Sequence, residues 1–163
     1  MNIDRRAFLA SGTAAVAVGI ALTLPGRSAD AQRQQFPFRL ADAEWRRRLS
    51  PRQYAVLRQA ATERAGSSAL NAEHRRGTFR CAGCGHPLFS SATKFESGTG
   101  WPSFFRPLPG GVVTRDDGSI GMARTEVLCA RCGGHLGHVF NDGPRPTGLR
   151  YCMNGDAMTF RAA

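Results

Sequence analysis

The chain has 163 residues, of which 42% are apolar and 21% charged, a balance that fits one folded domain and excludes a disordered tail or a membrane-embedded protein. Basic residues outnumber acidic ones 22 to 12, and all but one of them are Arg, so the formal charge is +10. That surplus permits an anionic partner but does not require one, because an Arg bias also follows from base composition. Five Cys is an odd count, so any scheme of pairing or metal binding must account for a leftover thiol.

The N-terminus reads as a targeting segment. Arg5 and Arg6 precede Ala7, Phe8 and Leu9, an apolar run spans Ala14 to Leu24, and Ala29-Asp30-Ala31 offers a small-residue cleavage site. The apolar run is too short for the roughly 20 residues of a spanning helix, which argues against an uncleaved anchor. Arg-Arg-x-Phe-Leu before an Ala-rich core is similar to a twin-arginine export signal. The expectation is a 1–31 signal peptide, a periplasmic or otherwise exported protein, and no stable membrane insertion. Removing residues 1–31, with three Arg and two Asp, leaves a mature chain of +9. Export places thiols in an oxidising compartment, where an unpaired Cys is a liability unless it is used.

Residues 32–40 read as an extended leader. Asp42 is placed to cap a helical turn carrying Trp45 and Leu49. Ser50-Pro51-Arg52-Gln53 is a helix start, with Ser as N-cap, Pro at the first helical position and Gln at N3. Tyr54, Leu57 and Ala61 then give one apolar face, and Ala65-Gly66-Ser67-Ser68 ends the helix. From Gly77 onward short apolar runs alternate with Gly and Pro. Asp117-Gly118 predicts a hairpin between Gly111–Arg115 and Ser119–Leu128. His135–Phe140, Arg150–Met153 and Met158–Arg161 read as further strands. The expected fold, over 41–163, is mainly β with antiparallel sheets and a short helical N-terminal segment.

Cys81-Ala-Gly-Cys84-Gly and Cys129-Ala-Arg-Cys132-Gly are two copies of one motif. Each turn aims two thiolates at one ion, and the Gly after it tolerates the close backbone approach. Together they supply the four soft ligands of a closed structural Zn(2+) site. Two disulfides or a redox dithiol are the competing readings. Since 44 residues separate Cys84 from Cys129, a whole hairpin lies between the knuckles.

Cys152 is the thiol left over. Arg150 lies two residues before it, on the same strand face, and a neighbouring cation lowers a thiol pKa. His135 and His138 are not needed by a four-thiolate site, and Asp142 is placed to orient one imidazole. A Cys with His and Asp suits nucleophilic chemistry, either acyl transfer or redox, and spacing does not choose between them. The loop Ser97–Phe104 contains Trp101, which is either a core turn or a wall for a polarisable thioether.

From Trp45 to Phe160 the sequence resembles the B-type peptide methionine sulfoxide reductases, which act on the R epimer. The matching segments include Cys81-Ala-Gly-Cys84-Gly, Lys94-Phe95-Glu96-Ser97-Gly98-Thr99-Gly100-Trp101-Pro102-Ser103-Phe104, Arg124-Thr125-Glu126-Val127, His135-Leu136-Gly137-His138-Val139-Phe140 and Arg150-Tyr151-Cys152. The resemblance implies two antiparallel sheets and one zinc remote from catalysis. It implies Cys152 as nucleophile, His135 and His138 as proton donors, and Asp142 as the group orienting one of them. It also implies Trp101 as the wall for the substrate methyl, with Arg150 and Asn154 lining the site. Oxidised proteins and peptides are the implied substrates. One departure matters: Thr99 stands where many members carry a resolving Cys, so an external thioredoxin-like reductant or small thiol is expected. The competing function is a non-catalytic zinc-stabilised ligand- or nucleic-acid-binding module. Four thiolates on one zinc reduce the charge to about +7, and the export signal argues against a nucleic-acid partner.

Overall fold

The computed structural model describes residues 36–118 and 124–163; the expected signal, over 1–31, lies outside them. Two short helices open the described chain, α1 (Asp42–Arg48) and α2 (Pro51–Gln59). The N-cap of α1 is Ala41 rather than Asp42, and Glu44 reaches back to accept the Ala41 N–H at 3.0 Å. Asp42 is occupied otherwise, accepting from Arg46 at 2.7 Å and from the Tyr54 hydroxyl. At α2 the expected capping box is present: Ser50 Oγ accepts the Gln53 N–H at 3.2 Å, and Gln53 Oε1 accepts the Ser50 N–H at 3.1 Å. The helix ends at Gln59, short of the Ala65–Ser68 expected to stop it, because Ala60 turns left-handed at φ 54°. Ala61 therefore leaves the helix, and Tyr54, Val56 and Leu57 form the buried face.

Nine strands follow among the described residues: β1 (Gly77–Cys81), β2 (Pro87–Ser90), β3 (Lys94–Phe95), β4 (Ser103–Phe104), β5 (Val112–Asp117), β6 (Arg124–Cys129), β7 (His135–Phe140), β8 (Arg150–Met153) and β9 (Met158–Ala162). They form a three-stranded sheet in the order β2-β1-β9 and a six-stranded sheet in the order β3-β4-β8-β7-β6-β5. Every pairing is antiparallel. The two sheets share an aromatic core. Phe104 of β4 stacks on Phe89 of β2 at 4.3 Å between centroids and meets Phe79 of β1 edge-on at 4.9 Å, all three fully buried. Rings in this geometry contribute beyond their area, and deleting one from such a core costs roughly 3–5 kcal/mol.

The β5–β6 hairpin differs from the expected tight Asp-Gly turn. Asp117 pairs with Arg124, so the strands run on to that point and the connection is residues 118–123. The carboxylate of Asp117 is needed in the ladder, where it binds Arg124 and His138.

Candidate active site and metal centre

Strand β8 lies inside the six-stranded sheet, so its backbone is held on both sides. Cys152 pairs with Ser103 of β4 and with His138 of β7. It opens into a cleft of about 180 Å³, with His138, Phe140 and Arg124 on one side and Trp101, Asn154 and Thr62 completing it. The close approach of β7 and β8 depends on Gly137: a Cβ there would sit 2.1 Å from the Cys152 carbonyl oxygen.

Burial pushes the Cys152 thiol above its ordinary pKa, against the downward pull of the Thr99 hydroxyl, Arg150 and Ser103. The expected lowering by Arg150 is thus outweighed. Arg150 is also engaged elsewhere, donating in bidentate fashion to Asp142 at 2.9 and 2.8 Å and lying 4.5 Å over the Phe140 ring. Thr99 Oγ1 lies 3.9 Å from Cys152 Sγ and 2.8 Å from Ser97 Oγ, to which Ser103 also donates at 2.8 Å. A short hydroxyl chain therefore ends at the sulfur.

The two histidines part company. His138 lines the cleft, and its Nε2 is 2.7 Å from Asp117 Oδ2. His135 is buried behind it, with Nδ1 2.7 Å from Glu126 Oε1, and does not line the cleft. Burial depresses the His135 pKa, with Glu126 acting in the opposite sense. Asp142, expected to orient an imidazole, instead pairs with Arg150. The reason is register: Phe140 pairs with Arg150, so a residue just past the end of β7 reaches that guanidinium. Asp117 and Glu126 take the orienting positions. Glu126 comes from β6 beside β7 and Asp117 from β5 one strand further out, and neither stood out as a site residue because only the strand register brings them to the imidazoles.

Trp101 and Asn154 meet on a third element. The Trp101 indole N–H donates to the Glu63 carbonyl at 3.2 Å, and Asn154 Oδ1 accepts the Glu63 N–H at 3.0 Å.

The four other cysteines lie apart from the cleft. Cys81 ends β1 in one sheet, with Cys84 in the turn after it, and Cys129 ends β6 in the other, with Cys132 in the turn after it. The turns superimpose in hydrogen bonding: Gly85 N–H to Cys81 O at 2.8 Å matches Gly133 N–H to Cys129 O at 2.9 Å. Both glycines are left-handed, at φ 71° and 67°. All four sulfurs lie within 4.8 Å of one another, with Cys81–Cys132 at 3.7 Å and Cys84–Cys129 at 3.6 Å. Tetrahedral Zn–S bonds of about 2.3 Å require sulfurs about 3.8 Å apart. Disulfides would require about 2.05 Å, so the donor set fits a metal ion and not two cross-links. Hydrogen bonds among the sulfurs drive their proton affinities apart, with Cys81 and Cys132 held up and Cys84 and Cys129 held down. Three arginines close over the knuckle carbonyls: Arg48 to Gly83 O at 2.7 Å, Arg131 to Cys84 O at 3.0 Å and Arg58 to Cys132 O at 3.4 Å.

Four thiols close enough to hold a metal ion, and a fifth paired across strands with a histidine, define a thiol protein on a scaffold of two antiparallel β-sheets. Residues 49–162 match the SelR domain family. A peptide methionine sulfoxide reductase MsrB of Bradyrhizobium diazoefficiens is 60% identical over 119 residues, covering 72% of this chain and 86% of its own length. The protein of the same name from Leptospira interrogans is 57% identical over 122 residues, covering 74% and 93%, and that of Agrobacterium fabrum is 54% identical over 121 residues, covering 74% and 90%. The chain belongs to this family, the B-type methionine sulfoxide reductases.

Proposed function

We propose that this protein reduces methionine (R)-sulfoxide in proteins and peptides. The observation that carries the reading is Cys152 facing His138 across paired strands, beside Trp101, in a cleft the size of one side chain. Cys152 passes its proton to His138 and its sulfur attacks the sulfoxide sulfur, forming a transient S–S bond. His138, held by Asp117, delivers a proton to the sulfoxide oxygen, which is a poor leaving group until protonated. The oxygen then moves as hydroxyl from the methionine sulfur to the Cys152 sulfur, and the S–O bond and the transient S–S bond to the methionine sulfur both break, returning an electron pair to that sulfur. Methionine and a Cys152 sulfenic acid result, the thiol oxidised by two electrons and the sulfoxide reduced by two. Trp101 holds the substrate methyl.

Thr99 stands beside the nucleophile, so regeneration falls to an external thiol. Attack on the sulfenic acid releases water and leaves a mixed disulfide, which a second thiol clears. A thioredoxin-like protein or a small thiol serves. Cys81, Cys84, Cys129 and Cys132 would hold Zn(2+), whose role is to tie the two sheets together. Residues 1–31 direct export by the twin-arginine route. No helix among the described residues is long and apolar enough to cross a membrane.

The test supplies the protein with dithiothreitol and a peptide carrying separated R and S sulfoxides. Turnover of the R form alone, lost in Cys152→Ser with metal and fold kept, is the expected outcome. Turnover of neither epimer would sink the reading.

A further inference from the structure

Glu63 lies in the connection after α2 and takes no part in the chemistry above. It is only 7% exposed, and both carboxylate oxygens are used: Oε1 accepts the Gly155 N–H at 2.7 Å and Oε2 the Asp156 N–H at 2.8 Å. Those two amides belong to the turn that begins three residues after the nucleophile. The main chain of the same residue holds two walls of the cleft, Asn154 through its N–H and Trp101 through its carbonyl. Its neighbour Thr62 lines the cleft directly. A further tie, Gly66 N–H to Gly100 O at 2.7 Å, joins the end of this connection to the loop carrying Trp101.

We propose that Glu63 is a positioning residue: its carboxylate pins the 60–66 connection onto the turn after Cys152, and its backbone thereby sets Trp101 and Asn154 at the width the sulfoxide side chain needs. The inference rests on the reductase reading. A carboxylate suits the task because it presents two acceptors to two converging N–H donors. Burial raises the Glu63 carboxyl, and the two amide bonds oppose that rise. Glutamine at this position would aim an amino group at one of the donors, losing a charge-assisted bond and repelling the turn. Asn154 is also tied to Leu136 O through Nδ2 at 3.2 Å, so the β7 side of the cleft stays in place when the Glu63 side loosens.

The test compares wild type, Glu63→Gln and Glu63→Asp, each labelled with 5-fluorotryptophan. The two ¹⁹F resonances, Trp45 and Trp101, are assigned through Trp101→Phe. In Glu63→Gln the expected result is a KM for peptide sulfoxide raised about tenfold, the loss corresponding to one charge-assisted hydrogen bond. kcat should stay within about twofold, since Cys152 and His138 are untouched. The Trp101 resonance should shift or broaden while that of Trp45 stays. Glu63→Asp, which keeps both acceptors on a shorter arm, should recover part of the KM. Unchanged KM and an unchanged Trp101 resonance in a folded Glu63→Gln would overturn the proposal. If Glu63→Gln does not fold, Glu63→Asp decides by the same two readings. Loss of fold in both variants would assign Glu63 to the fold alone and also overturn it. A wild-type protein without turnover would sink the reductase reading, and the ¹⁹F spectra would still report whether Glu63 holds Trp101.

Discussion

Replacing Asp117 by Asn tests which imidazole delivers the proton in the proposed reaction. The substitution keeps the size of the side chain and removes the charge beside His138. Asp117 and His138 side chains are only 15% and 13% exposed, so solvent screens the pair little. A charge-assisted hydrogen bond of this kind contributes about 1.5–3 kcal/mol. Arg124 already draws on the same carboxylate at 2.8 Å, so the lower half of that range applies. As a barrier increase it corresponds to a kcat reduced roughly 10- to 45-fold. The assay is single-turnover release of methionine from a peptide (R)-sulfoxide, which isolates the chemical step from recycling. Glu126→Gln is the companion variant: it alters the buried His135 and should lower thermal stability with a much smaller effect on the chemical step. A normal rate in Asp117→Asn with a collapsed rate in folded Glu126→Gln would move the acid to His135 and refute this assignment. A dominant effect of Asp142→Asn would refute it differently, by showing that the carboxylate on Arg150 governs proton delivery.

Three other outcomes follow from the same geometry. Wild-type protein should contain one zinc per chain by metal analysis, and Cys81→Ser should lose metal and cooperative folding together, because metal binding energy here is folding energy. His135 has a folded pKa below its unfolded value of about 6.5, so its contribution is full above that pH and is lost as pH falls through the depressed value; melting temperatures measured in acid should drop less in a folded His135→Gln than in wild type. Thr99→Cys should place a second thiol beside Cys152, and mass spectrometry after one turnover without reductant should find an internal disulfide in that variant and a dimedone-reactive sulfenic acid in wild type.

The sequence carried more of the metal site than of the active site, for a physical reason. Each Cys-x-x-Cys-Gly turn is a local device whose hydrogen bonds close within a few residues, so its geometry is visible in the spacing. The same holds for Ser50-Pro51-Gln53 at the start of α2. Strands β7 and β8 were also legible, because His135–Phe140 and Arg150–Met153 are bounded by Gly, Pro and Asn. What failed was the assignment of the carboxylates, which register decides. Asp117-Gly118 has the composition of a tight turn, yet pairing with β6 carries Asp117 to Arg124 and aims it at His138. Asp142 is near His138 in sequence and near Arg150 in space. His135 and His138, three apart, belong on opposite faces of a regular strand. Their rings nonetheless lie 5.5 Å apart beside a register shift between Val127 and Leu128. Glu63 had no local signature at all, since its partners are about 90 residues away.

The contrast in shielding among the thiols decides what an oxidant does to this chain. The four knuckle sulfurs belong to residues no more than 6% exposed, whereas Cys152 opens to the cleft. Hydrogen peroxide diffusing onto the surface therefore meets Cys152 first. That encounter yields water and a Cys152 sulfenic acid, the same species that the proposed sulfoxide reduction forms. The external thiol that completes turnover would clear it without a separate repair step. Direct oxidation is thereby steered to the one position where the proposed reaction already makes use of it, and the four-cysteine cluster between the two sheets is spared.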